Sequence, residues 1–419
     1  MTSEVCVLNR YAAVLAADSA TTVTYGWGDT REERYFKGAN KIFQLSDHQP
    51  VGMMVFDSAD LLRVPWELIV KAFRRELAQK SFNTLEDYAA EFFTFIRTNL
   101  QLFPDAVRQE TLSKAVRSIA LQMMLSAREA NGDEAAQTAV LDEKIRDRQA
   151  ALDQMEFVDG VDQTAADLGW ATVSAGVVAD VQGYARDFGL PLASDVEALV
   201  RASLTEVYKE KHDQLGTTGL VFAGFGDHDT FPSMIHYDCR GLAMNSLICS
   251  EVDRTVVDYE TPAGINAFAQ TSMTDTFTIG ISLDVYSSLL NALKPGIASV
   301  AEKICAAAGL NPDDIPNLAQ IVEDARKSVS DEWMSAARRE HSLPMRRVLG
   351  VLPIDELAEL AETLIRLQSL KEKVTKPSET VGGPVDVAVI TKNEGLVWIR
   401  RKHYFDADLN PRYIKRLGS

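Results

Sequence analysis

The chain has 419 residues, of which 46% are hydrophobic and 25% are charged, and its formal net charge is −17. This composition is typical of a folded globular protein and excludes a chain that is mainly disordered. The strong negative charge disfavours nucleic-acid phosphates and anionic membrane surfaces, so we expect neither as a partner.

The four cysteines and six histidines are scattered without the spacing of a zinc site or a disulfide framework. His228, in the segment GDHD, and His236 are better explained by a turn rich in Gly and Asp than by a metal site. No apolar run approaches the roughly 18 residues of a transmembrane helix. No signal peptide precedes the first strand-like segment, so we expect a cytoplasmic protein.

The N-terminal region reads as β-structure. Residues 3–9 (SEVCVLN) and 12–18 (AAVLAAD) are short apolar runs separated by Arg10-Tyr11, which predicts a β-hairpin. Two further strands are predicted at 41–45 (KIFQL) and 51–56 (VGMMVF).

The rest of the chain alternates between helical and strand patterns. From Pro65 to about residue 215 apolar residues recur at helical spacing, and Thr84 with Asp87 predicts a capping box. Strands are then predicted at 217–226, 232–238 and 242–248, with GFGDHD (224–229) as a turn. Helices are predicted to fill most of 262–293, 298–310, 315–341 and 354–373. A last hairpin is predicted from 385–391 and 396–402.

Strands at both ends and in the middle, with helical blocks between them, require sheets that pair distant segments. This favours a single α+β domain over residues 1–419. Its layered part comprises 1–80, 216–295 and 376–405, and the helical insertions are 81–215 and 296–375.

Thr2 raises a catalytic hypothesis, since removal of Met1 would give it a free α-amine beside its hydroxyl. Such an amine has a pKa near ~8 and can take the proton of the attacking hydroxyl. A nearby ammonium would lower that pKa and stabilise developing negative charge, and a carboxylate would hold the ammonium in place. If the first hairpin folds back, Asp18 returns to Thr2, and Lys41 can reach the same edge.

The segments AAVLAADSATT, ANKIFQL and SADLL, with SETVGGPVDVAVITKNEG near the end, resemble the β-subunits of proteasomes and their bacterial relatives. These belong to the N-terminal nucleophile (Ntn) hydrolase superfamily. The resemblance covers about half of the chain and implies a four-layer αββα sandwich with large helical insertions. It assigns the nucleophile, the acid and the lysine to Thr2, Asp18 and Lys41.

The resemblance also implies residues that bind substrate or support the nucleophile. Ser19 lines the site or caps a turn, and Thr22 and the 55–58 segment would pair with an extended substrate. Within that segment the family usually has a glycine, whose N–H stabilises the oxyanion, where this chain has Val55, Phe56, Asp57 or Ser58. Weaker supporting candidates are Gln270, Thr271, Ser272, Glu379 and Thr380. Cys6, a rival nucleophile, is better explained as a core residue.

The resulting hypothesis is a threonine-dependent peptidase or amide hydrolase that forms an acyl-enzyme ester and needs no metal or organic cofactor. The resemblance further implies a homo-oligomer, either a ring or a helical array, and is compatible with an unfoldase partner. Two alternatives stay open. One is a catalytically inactive assembly protein in which Asp18 and Lys41 form a structural ion pair, and the other is an Ntn amidohydrolase of small molecules.

Overall fold

A computed structural model describes residues 2–25, 32–130, 132–210, 212–312, 315–375, 381–403, 405 and 409–412. The strands are β1 Ser3–Asn9, β2 Ala12–Ala17, β3 Ala20–Tyr25, β4 Glu32–Lys37, β5 Ile42–Gln44, β6 Val51–Asp57, β7 Asp60–Leu61, β8 Val64–Pro65, β9 Thr218–Gly224, β10 Ser233–Ala243, β11 Ser246–Val256, β12 Ala263–Ala269, β13 Asp386–Thr391 and β14 Gly395–Arg400. The α-helices are α1 Trp66–Leu77, α2 Leu85–Thr98, α3 Asp105–Arg128, α4 Glu134–Asp153, α5 Gln163–Phe188, α6 Val196–Lys209, α7 Ser272–Ile279, α8 Leu283–Ala307, α9 Leu318–Ala337, α10 Leu343–Leu349 and α11 Ile354–Thr375.

Two five-stranded sheets form the centre of the molecule. The first sheet has the order β12-β1-β2-β13-β14 and the second has the order β11-β10-β9-β6-β5. Successive side chains of a strand point to opposite faces, so one face of β1 and β2 carries Cys6, Leu8 and Leu15 toward Met54 and Val221 of the second sheet. The two sheets therefore pack face to face around an apolar core.

Helices cover the outer face of each sheet. On the first sheet, Val7 and Val14 pack against Leu364 of α11. On the second sheet, α1 and α2 bury an aromatic cluster in which Phe92 meets Phe222 at 5.7 Å between ring centroids. The layers run helix, sheet, sheet, helix, and the predicted α+β fold is confirmed.

Helices α3 to α6 form a separate apolar core that includes Leu112, Ile119, Val177 and Leu199. This cluster joins the sandwich at the β10–β11 turn, where Met244 contributes to it. Among the helices that the structure describes, none combines the length with the apolar composition that a membrane span requires.

Several sequence-based predictions of elements hold. The N- and C-terminal hairpins form as β1–β2 and β13–β14, and Thr84 and Asp87 form the capping box at the start of α2. Side-chain periodicity and helix capping depend on residues close in sequence, so both could be predicted from the sequence.

Other predictions were wrong. Residues 263–269, predicted as helix, form β12, which pairs along the whole length of β1. The break expected between 293 and 298 does not occur, because α8 continues through Pro295. Proline removes one backbone hydrogen bond and here does not end the helix. The β3–β4 hairpin was not predicted at all.

Candidate active site

Asp18 follows β2 and is held by backbone N–H groups from three segments. The N–H groups of Ser3, Ala20 and Gly382 donate to its carboxylate at 3.1, 3.3 and 2.7 Å. The register of the first hairpin produces this arrangement, since Asp18 N–H also donates to the carbonyl oxygen of Ser3 at 3.2 Å. The Asp18 carboxylate is therefore fixed across from the start of β1, in a site that is 1% exposed.

Lys41 lies just before β5 and points into the same buried region. Its Nζ donates to Asp18 Oδ1 and lies 3.0 Å from Oε1 of Glu4. One buried cation thus lies between two buried carboxyl groups. A buried charge is costly unless it is paired, so Lys41 and the two carboxyl groups compensate one another.

Thr2 completes the cluster through Glu4. The Thr2 hydroxyl donates to Glu4 Oε2 at 3.2 Å, and the carbonyl oxygen of Thr2 accepts from Gln270 N–H at 3.0 Å. The structure therefore brings Thr2, Asp18 and Lys41 into one network. In the printed sequence Met1 precedes Thr2, so the Thr2 nitrogen becomes an amine when Met1 is removed.

Glu4 is the residue that sequence reasoning missed. It is fully buried on the same face of β1 as Cys6 and Leu8, between the two sheets. A carboxyl group in the middle of a buried apolar strand needs a partner, and that was the available signal. The resemblance assigned no role to this position, so the signal was not used.

Burial raises the pKa of Glu4 to about 7, against the opposing charge of Lys41 and with a further upward contribution from Asp18. The contacts of the Glu4 side chain agree with a carboxylate that is only weakly stabilised. Although Lys41 Nζ is close to Oε1, this oxygen receives no hydrogen bond of good geometry in the described chain. Glu4 therefore changes protonation near neutral pH.

We expect Glu4→Gln to remove a pH dependence of stability. Because the folded pKa lies above the ordinary value of 4.5, the folded state binds the proton more tightly than the unfolded state. Stability is then lost as pH rises from about 4.5 through about 7, by an amount on the order of 3 kcal/mol. The amide that replaces the carboxyl group cannot ionise, so the variant should gain stability relative to the wild type over that range. Chemical denaturation at several pH values measures this difference, and parallel profiles for the two proteins would contradict it.

A cavity of about 170 Å³ lies beside the cluster. Its lining includes Thr2, Lys41, Asp57 and Ser58, together with Thr21 from the start of β3. A second cavity of about 270 Å³ also includes Ser58 in its lining. The nucleophile candidate and the end of β6 therefore face a common space.

The last residue of β6 has a backbone conformation that glycine usually adopts. Asp57 has φ +66°, a left-handed conformation that favours glycine. Val55 N–H donates to the Lys41 carbonyl at 2.9 Å, and Ser58 N–H donates to the Thr217 carbonyl at 3.2 Å. Since N–H directions alternate along a strand, the Asp57 N–H points to the same side as that of Val55. Of the four candidates, Asp57 is therefore the best placed to donate to an oxyanion.

The carboxyl group of Asp57 lies close to that donor, where a negative charge would oppose an oxyanion. Partial desolvation by the surrounding chain and the charge of Asp238 raise the pKa of this carboxyl group, although Asp57 keeps an exposed surface. The shift lowers the tendency of Asp57 to carry its charge.

Ser19 has a structural contact. Its hydroxyl donates to the Pro384 carbonyl at 2.8 Å, which ties the end of β2 to the closing turn. That turn is crowded, since a Cβ added to Gly383, at φ +84°, would lie 2.6 Å from Ser19 Oγ. Thr22 pairs with Tyr35 in the β3–β4 hairpin, and it is Thr21 that lines the cavity.

The five weaker candidates divide into three groups. The Gln270 backbone contacts Thr2, as described above, and its carbonyl accepts from Ser3 Oγ at 3.3 Å. Thr271 and Ser272 are bonded elsewhere, because Thr271 Oγ1 donates to Asp275 at 2.7 Å and Ser272 Oγ donates to Gln368 at 3.2 Å. Glu379 and Thr380 lie outside the described residues.

Two other side chains considered from the sequence have core environments. Cys6 is fully buried, and burial raises the pKa of its thiol, which disfavours the reactive thiolate. His236 lies in β10 and not in a turn, and its ring packs against Phe56 and Phe268, each at 5.2 Å between ring centroids, while those two rings stack on each other at 5.4 Å. In the described ranges no three His, Cys, Asp or Glu side chains are grouped so that they could hold a metal ion.

Comparison with protein-family models and with curated proteins finds no match. Among solved structures, the chain is similar to a mutant of Anbu from Hyphomicrobium sp. strain MC1, at 9% sequence identity and a TM-score of 0.28. That comparison covers 100% of this chain and 95% of the other. A TM-score this low does not establish a shared fold, so the αββα architecture rests on the two sheets and the helices that cover them.

Proposed function

We propose that the chain hydrolyses amide bonds, with the hydroxyl of Thr2 as nucleophile after removal of Met1. The observation that carries the proposal is the buried network of Thr2, Glu4, Lys41 and Asp18 beside a cavity. Buried titratable groups clustered at a cavity are a common property of catalytic sites. The resemblance of the N-terminal segments to proteasome β-subunits supports the same chemistry.

In this mechanism Thr2 Oγ1 attacks the substrate carbonyl carbon while the α-amine of Thr2 takes the hydroxyl proton. The resulting oxyanion accepts a hydrogen bond from the Asp57 N–H. The amine then gives its proton to the leaving nitrogen, the C–N bond breaks, and an ester of Thr2 forms. Water, deprotonated by the same amine, attacks that ester and releases the acid and free Thr2.

Lys41 acts in this mechanism through its charge. It lowers the pKa of the α-amine and stabilises negative charge on the substrate oxygen, while Asp18 holds it in position. Glu4 positions the Thr2 hydroxyl. Its carboxylate form also offsets part of the charge of Lys41, so protonation of Glu4 strengthens the electrostatic effect of Lys41 on the site.

A peptide substrate is favoured over a small amide by the two cavities that share Ser58. An extended chain could lie across both, with its backbone along the end of β6. A panel of peptides and small amides of equal reactivity distinguishes the two classes. Faster cleavage of the peptides would support the peptidase.

The direct test uses untagged protein and a peptide epoxyketone, an electrophile that bonds both the hydroxyl and the α-amine of an N-terminal threonine. Intact mass spectrometry should first show the loss of Met1. It should then show one added inhibitor mass in the wild type and none in Thr2→Ala. Retention of Met1, or labelling that survives Thr2→Ala, would reject the mechanism.

A catalytically inactive assembly protein is the second candidate, and Glu4 favours it. The Thr2 hydroxyl is already bonded to a carboxyl group that also lies against Lys41, an arrangement that can be purely structural. An inactive protein would lose no more than local stability in Thr2→Ala and would not react with the epoxyketone.

A further inference from the structure

Helix α8 has an exposed apolar face along its whole length. The structure describes all of its 25 residues, and of these Cys305 alone is buried. Val285, Leu289, Val300 and Ile304 are 52%, 50%, 56% and 64% exposed. A long helix with this much exposed apolar surface is typical of an interaction site.

The exposed positions have a symmetric order. On one face of the helix the exposed apolar or small residues, separated by three or four positions, are Val285, Leu289, Ala292, Gly296, Val300 and Ile304, and Lys303 also lies on this face. The large side chains lie toward both ends and the small ones lie in the middle. Read from either end, this α8 stripe has the same sequence of sizes, two large, two small and two large.

We infer that the α8 stripe is an isologous interface with the α8 of a second copy of this chain, packed antiparallel about a two-fold axis. In a two-fold interface, if residue i contacts residue j, then j also contacts i. Antiparallel packing about the helix middle places Val285 opposite Ile304, Leu289 opposite Val300, and Ala292 opposite Gly296. Each large residue then faces a large one, and the small pairs mark the closest approach of the backbones.

The centre of α8 is open enough for this approach. A Cβ built on Gly296 meets no atom within 4 Å, so no described part of the chain fills the space above it. Pro295, the preceding residue, lies inside the helix. Glycine and proline both weaken a helix interior, so α8 gains from a partner that stabilises it there.

Charge favours a second copy at this face over the rest of the surface. The chain carries a net charge of −17, so two copies repel one another wherever carboxylates face each other. The α8 stripe contains no carboxylate. It is therefore a surface at which two copies can approach without that repulsion.

The test places a new ion pair across the proposed axis. Leu289→Glu and Val300→Lys should each weaken self-association at least about tenfold, because a charge then faces an apolar side chain. The double variant should recover most of the loss, since the new carboxylate of one copy then faces the new ammonium of the other. Within one chain these positions are about 16 Å apart along the helix, so the recovery cannot be intramolecular.

Sedimentation velocity over a range of concentrations gives the association constant of each variant, and circular dichroism checks that each is folded. Asn291→Glu, at an exposed position on another face of α8, is the matched control and should associate as the wild type does. A wild type that stays monomeric, single variants that associate normally, or a double variant no tighter than the singles would each overturn the interface. None of these outcomes depends on catalysis.

Discussion

Thr2→Ala is expected to reduce amide hydrolysis by about 10³-fold or more while the chain stays folded. The substitution removes the attacking oxygen and leaves the α-amine, Lys41 and Asp18 in place. The hydroxyl makes one hydrogen bond, to Glu4, so its loss should cost only about 1 kcal/mol of stability. Initial rates with the best peptide of the panel measure the first effect, and denaturant unfolding measures the second.

Two variants make this result specific to the nucleophile. Thr2→Ser retains an attacking hydroxyl and should keep measurable activity. Ser3→Ala is the matched control, because it deletes a neighbouring hydroxyl that donates to the Gln270 carbonyl and faces no step of the mechanism. Equal rates for Thr2→Ala and the wild type would remove Thr2 as nucleophile.

The fold was predictable where local patterns coincide with the tertiary arrangement. The apolar runs of β1 and β2 are almost entirely buried, and their sequence already indicated a hairpin that returns Asp18 to the start of the chain. β12 was missed because AGINAFA is a weak strand sequence, and it becomes a strand by pairing with β1. Such pairing depends on contacts between residues far apart in sequence, and local strand propensity carries no information about those contacts.

The site was only partly predictable for a similar reason. Thr2, Asp18 and Lys41 could be proposed because a family pattern names their residue types. The left-handed backbone of Asp57 could not be predicted, since nothing in the sequence indicates that this aspartate adopts a conformation usual for glycine. Glu4 could have been found from the alternation of β1, but its pairing with both Thr2 and Lys41 depends on the position of β5 in the other sheet.

Lys41→Met is expected to destabilise the fold by about 3–5 kcal/mol, the usual cost of removing one partner of a buried ion pair. Methionine keeps most of the aliphatic volume of lysine, so the loss reports on charge. Without the ammonium, the carboxyl groups of Asp18 and Glu4 share a site that is 1% or less exposed. Denaturant unfolding with an unchanged m-value measures the loss.

Lys80→Met measures how much stability is lost when an ordinary exposed ion pair is broken. Lys80 lies 3.6 Å from Glu91, and both side chains are exposed, so its removal should cost less than about 1 kcal/mol. Adding Glu4→Gln to Lys41→Met should recover part of the stability, since one uncompensated carboxyl group is then neutral.

The cost of Lys41→Met should also be smaller at pH 5 than at pH 8, because the Glu4 carboxyl is protonated at the lower pH. A cost no greater than that of Lys80→Met would mean that Lys41 does not hold the two carboxylates together.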